Sequence, residues 1–253
     1  MKPTTRALKA WIAEAALLAV PPEQIRVPVE NDRLFLTVYS VCRQAIRYAE
    51  AYSATAASGF EHEAVPLVRA AFEHAVTAQW VYLTPGGHAL LSAGVRASMH
   101  DFQVRFAQRA GDHVWMDHLE LSTPPKVHGR PNFGKMMRAV DHEEFLELIY
   151  SLLSQATHVT FRSVTGYLDG SSEQFELLPE RRVSAEVNYQ VLHAAAMSSL
   201  LALSVLAHVI DDPQLLDLVS RRSDELMLPW LLESGSARDS STGTGRPVGR
   251  PQV

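Results

Sequence analysis

The sequence predicts an all-α fold: a single bundle of about seven to eight helices over residues 1–233, followed by a disordered tail over residues 234–253. Three observations predict it. Apolar residues recur at helical spacing along most of the chain. No run alternates apolar and polar residues with the length and β-branched content of a convincing strand. Proline or glycine closes one helical segment after another. With 253 residues and 47 % apolar content, one domain has ample material for a core.

The first helix is predicted over Thr4–Val20, stopping before Pro21-Pro22. Leu8, Trp11, Ile12, Ala15 and Leu18 give it one apolar face. Lys2, Arg6 and Lys9 precede an apolar run as in a secretory signal, but Glu14 breaks that run and favours an amphipathic helix. Residues 23–29 read as extended. Asp32–Ala57 is a long helix closing near Gly59, and His62–Thr84 is the most apolar one, with Pro66 tolerated in its first turns and Pro85-Gly86-Gly87 ending it. Ala89–Ala110 follows, ending at Gly111, and Asp112 caps a short helix to Leu121. A loop from Ser122 to Pro131 leads to a short helix over Phe133–Val140. Asp141 is the expected N-cap of a helix to Tyr167, stopped by Asp169-Gly170, with a loop over Ser171–Arg182. Ser184 caps a helix to Ile210, and Asp212-Pro213 starts a last helix to Leu232. Val191–Ile210 is about long enough to span a bilayer. It holds His193, Ser198, Ser199, Ser204 and His208 and has no basic cluster after it, so a buried core helix is the better account. The tail, rich in Gly, Ser, Thr, Arg and Pro, lacks the apolar residues needed for a core.

Composition narrows the function classes. A net charge of −5 leaves no global basic field for nucleic acid, so any such binding needs a local patch. Cys42 is the single cysteine, which excludes an internal disulfide and a zinc site built from several cysteines, and fits a cytoplasmic protein. The acidic and histidine pairs Asp112-His113 and Asp117-His118 form neither H-E-x-x-H nor the E-x-x-H pairs of a di-iron bundle, so no metal or other cofactor is expected. Pro85-Gly86-Gly87 lacks the Lys-Ser/Thr of a phosphate-cradling loop.

The candidate chemistry lies in two helices. Arg69 and Glu73, at i,i+4, share a face of the most apolar helix. Charges in such a place need partners, so the pair is either a structural strut or half of a site. In the helix predicted over Asp141–Tyr167, Glu147, Tyr150, Ser151, Ser154, His158, Arg162 and Thr165 form a polar stripe, with Phe145, Ile149, Leu152, Ala156 and Val159 on the other side. Ser154 and His158, also at i,i+4, have the spacing of a nucleophile and its base. No strained elbow presents the serine, so His158 serving as acid, base or phosphate contact is the stronger reading. Arg69-x-x-x-x-His74 resembles the signature of HEPN-type ribonucleases, yet His74 lies about 140° round the helix from Arg69.

Leu67, Arg69 and Glu73, the aromatic end Trp80-Val81-Tyr82-Leu83, and later Tyr150, Leu153, Ser154 and His158 resemble, in order and spacing, a widespread group of uncharacterised bacterial all-α proteins. The resemblance covers about Asp32 to Ile210. That group has no settled activity; its helical layout is similar to HEPN-like and abortive-infection proteins, which implies a ribonuclease, toxin or phage-defence role. The resemblance also implies that the two helices face each other, joining Arg69, Glu73, Ser154 and His158 in one centre with Tyr150 beside it. Arg69 would then clamp a phosphate of RNA or a small anionic ligand, and His158 would move protons, in a cleft completed by a second copy; no membrane partner is expected. The alternative is a closed hydrogen-bond network in a non-catalytic binding or interaction module.

Overall fold

The computed structural model describes residues 2–19, 27–121, 131–141, 145–158, 160, 166–171, 174–178 and 184–233. Among them are nine α-helices: α1 (Thr5–Leu18), α2 (Asp32–Ala57), α3 (Val65–Leu83), α4 (Gly87–Ala110), α5 (His113–Leu121), α6 (Phe133–Val140), α7 (Phe145–Thr157), α8 (Ala185–Val209) and α9 (Pro213–Leu226). A hairpin of β1 (Leu168–Ser171) and β2 (Gln174–Leu177) lies between α7 and α8.

Local chemistry sets several of the helix starts. Thr4, Asn132, Ser184 and Asp212 each accept backbone N–H groups of the turn that follows, which satisfies donors that no helix can satisfy internally. The turn from α3 to α4 needs Gly87, because an added Cβ would lie 2.7 Å from the Val81 carbonyl oxygen. α2, α3 and α8 pack on one another as the centre of the bundle, with α1 and α9 against α8, α6 and α7 against α3, and α4 against α2 and α3. From Val191 to Ala207 α8 is buried at almost every position, which is the behaviour of a helix that is apolar all round. α8 is also the one helix among the described residues that is long and apolar enough to cross a membrane; here its apolar surface is covered by protein. Trp11 of α1 donates its Nε1–H to the Ala196 carbonyl of α8 at 3.1 Å, tying the first helix to that core.

Cys42 lies on α2 with no exposed surface, and burial pushes its thiol well above the usual range. The thiolate is the nucleophile, so a thiol reagent is expected to leave Cys42 unmodified in the native protein and to label it stoichiometrically once denaturant unfolds the chain.

Four expectations need correction. The helix predicted from Asp141 to Tyr167 is shorter: α7 runs from Phe145 to Thr157, and Leu168 onward is strand. Its last turn meets β-branched Thr157 and Thr160, whose hydroxyls bond back to the helix, Thr157 Oγ1 to Leu153 O and Thr160 Oγ1 to Gln155 O. Val159, Arg162 and Thr165 of the expected stripe lie outside the described residues. The expected loop after Ser171 contains β2 instead. The apolar face of α7 is also differently placed: Leu146 and Leu153 are buried, while Phe145 and Leu148 are exposed and, with Ile149 and Leu152, line a groove of about 560 Å³ beside Lys2, Tyr189 and His193. Finally, the last helix ends at Leu226, where Met227 takes a left-handed conformation with φ 50°. The chain then turns back, burying Leu228 and stacking Trp230 on His208. Residues 23–26 of the expected extended segment and the tail over 234–253 lie outside the described residues, and Val29–Asn31 is a 3₁₀ turn.

Candidate functional site

α3 and α7 do face each other, and Arg69 is what joins them. Its Nε–H donates to Glu73 Oε1 at 3.0 Å, one turn on along α3. Its Nη2 donates to Tyr150 Oη at 2.7 Å, and its Nη1 meets His158 Nε2 at 2.7 Å. An arginine has only donors, so in this contact His158 Nε2 is the acceptor and Nδ1 carries the ring hydrogen.

The centre opens to solvent. The Arg69 side chain is 19 % exposed, that of Glu73 37 %, and His158 stands on the surface. Burial acts to lower the affinity of Arg69 for its proton, and the hydrogen bonds to Glu73 and Tyr150 outweigh it, so the guanidinium is held above its ordinary value. The guanidinium carbon also lies 5.0 Å from the centroid of the Tyr150 ring. Tyr150 in turn is fixed by packing against Phe133 of α6 at 5.0 Å and fully buried Phe72 of α3 at 6.4 Å between ring centroids. His158 is the first residue past α7, and its backbone N–H still bonds to Ser154 O at 3.1 Å. The end of α7 therefore positions the imidazole.

The structure brings Arg69, Glu73, Tyr150 and His158 together by direct contact. Ser154 lies on the same helix, with its Oγ buried and without a hydrogen-bond partner, so it makes no nucleophile–base contact with His158. His74 turns toward α2: its Nδ1–H donates to Ala70 O at 2.8 Å and its ring meets Tyr48 edge-on at 5.5 Å. One polar residue of α3 escaped the sequence reading. Gln79 is fully buried and bonds α3 to α8 and to the segment after α9. A glutamine within Ala78-Gln79-Trp80-Val81 was the available signal.

The model of a family of unknown function, DUF5677, matches residues 36–175, more than half of the chain. The chain belongs to this family. The matched span holds Arg69, Glu73, Tyr150, Ser154 and His158, and ends before the core helix α8. Membership in DUF5677 agrees with the expectation of an uncharacterised domain, and the family description assigns no activity. No curated protein and no solved structure matches the chain.

Proposed function

We propose that this DUF5677 member is a cytoplasmic, HEPN-like ribonuclease of the toxin or phage-defence kind, with Arg69 and His158 at its centre. One observation carries the reading: a solvent-exposed imidazole whose Nε2 rests on an arginine at 2.7 Å. The guanidinium has five N–H groups, of which three are engaged by Glu73, Tyr150 and His158. A phosphate entering from solvent takes the remaining donors and competes for Nη1. Glu73 keeps its hold on Nε throughout. His158 Nε2, once released, has a free lone pair to take the 2′-hydroxyl proton of RNA. That oxygen attacks the adjacent phosphorus, and the 5′-oxygen leaves with a proton from water. Arg69 and the Tyr150 hydroxyl hydrogen stabilise the charge that develops on the phosphoryl oxygens. The products are a 2′,3′-cyclic phosphate and a 5′-hydroxyl end.

The test is incubation of the purified full chain with single-stranded RNA and with DNA of the same sequence, read by end-group analysis. RNA alone is expected to be cut, leaving cyclic phosphate. His158→Ala is expected to lower the rate by about 10²–10⁴-fold, the usual range for removing a general base. Uncut RNA across a panel of structured and unstructured substrates would sink the proposal.

A second reading is favoured by the closure of the same network. Each nitrogen of Arg69 already has a protein partner, as expected of a strut that fixes α7 on α3 in an interaction module. The Arg69 variants discussed below separate the two.

A further inference from the structure

Val95, Met99, Phe102 and Phe106 stand on α4 with relative exposures of 51, 55, 58 and 55 %. Their spacing of four, three and four residues is that of a coiled-coil seam, and at 100° per residue they fall within about 60° of one another. α5 folds back along a neighbouring side of α4. There His100 Nε2 bonds to Leu119 O at 3.0 Å, and Ala107 and Leu119 are buried. The seam stays more than half exposed beside α5, which touches it through Trp115 at Phe106. Its outer rings are already ordered against each other, Phe102 and Phe106 at 6.2 Å and Phe106 and Trp115 at 5.8 Å between centroids.

We infer that this face pairs with the same face of a second copy of the chain, antiparallel, about a two-fold axis between Met99 and Phe102. The spacing supports that occupant. In this register Val95 meets Phe106 of the second copy and Met99 meets its Phe102, so all four layers are filled and each contact is made twice. Any other register leaves at least one of the four without a partner. Charge allows the arrangement. The seam itself carries no charge. Arg96 falls opposite Gln103 of the second copy, and Ser98 opposite its Arg105, so no two like charges face each other. Size supports it too. A half-exposed large apolar side chain offers roughly 100 Å², giving about 400 Å² of apolar surface per copy, as large as the patches that mark interaction sites on monomers. With the flanking side chains this approaches the ~800 Å² per partner of a specific interface. The inference stands independently of the ribonuclease reading.

The experiment uses the full chain in light scattering coupled to gel filtration. The unaltered chain is expected to run at twice its mass of 28.0 kDa. Phe102→Asp, at an exposed position, is expected to run as a monomer with an unchanged far-ultraviolet circular dichroism spectrum. Geometry is tested by disulfide trapping, in which buried Cys42 does not compete. A mixture of Val95→Cys and Phe106→Cys chains is expected to cross-link as the mixed pair, several-fold in excess of either self-pair. A monomeric parent chain at high micromolar concentration, a dimer that survives Phe102→Asp, or preferential Val95→Cys self-pairing would each overturn the inference.

Discussion

Replacing Arg69 with alanine is expected to leave the chain folded while lowering RNA cleavage by about 10²–10³-fold, the cost typical of losing one group that stabilises transition-state charge. The stability side follows from exposure. Were the pair sealed in the core, removing one partner would cost ~3–5 kcal/mol by stranding the other charge. Glu73 is 37 % exposed, so water can solvate the carboxylate that Arg69 leaves behind. His158 also stands on the surface. The loss should therefore be about 1–2 kcal/mol, small against the ~5–15 kcal/mol that holds a domain together. For a chain of this size that is a melting temperature lowered by roughly 2–8 °C. Arg69→Lys keeps one charge but cannot reach Glu73, Tyr150 and His158 at once, so it should be nearly as inactive as alanine. Thermal melting and the cyclic-phosphate assay on the same samples decide the matter. If the parent chain cleaves RNA and Arg69→Ala keeps that rate per folded molecule while melting far lower, the network is a strut and the cleavage belongs elsewhere.

What the sequence showed and what it hid divide along physical lines. The bounds of α2 and α6 were legible to the residue, and left-handed Gly59 beyond α2 and the Asn132 cap of α6 act within one turn of them. α8 was legible as a core helix because most of the polar groups in its apolar run bond back to its own carbonyls, as Ser198, Ser199 and His208 do. The end of α7 was not, since Asp169-Gly170 is louder punctuation than a β-branched cluster, and two four-residue strands are too short to show a period. Met227 ends α9 in a left-handed conformation that a glycine or asparagine would have announced. In the site, i,i+4 spacing placed Arg69 beside Glu73, and Tyr150, Ser154 and His158 along α7 and the residue just past it. It could not say which way the Ser154 hydroxyl turns, and that buried oxygen finds no hydrogen-bond partner. The α4 seam shows the limit most plainly: apolar residues at helical spacing say that a face is apolar, not which neighbour covers it.

Gln79→Leu is expected to lower stability by about 2–4 kcal/mol although leucine fills much the same volume. Gln79 is fully buried, and its amide joins three parts of the fold. Its Nε2 donates to Leu201 O and to Ser204 Oγ on α8, both at 2.9 Å, and to Trp230 O at 3.2 Å. Its Oε1 accepts the Leu232 N–H at 3.1 Å. Leucine removes all of these. The α8 groups are partly protected, since Ser204 Oγ itself donates to Leu201 O at 2.8 Å. The segment after α9 has no such reserve for the Leu232 N–H and the Trp230 carbonyl, and leaving such groups unmade costs ~1–3 kcal/mol each when water cannot reach them. The damage should therefore be local before it is global: the Leu232 amide should lose hydrogen-exchange protection, and the stacking of Trp230 on His208 should loosen, which tryptophan fluorescence would register. Gln79→Glu should be worse, because a buried carboxylate keeps the Leu232 contact but confronts three acceptors with no hydrogen to give. An unchanged melting temperature in Gln79→Leu, with Leu232 still protected, would mean that Leu228 and Trp230 hold the segment by packing alone.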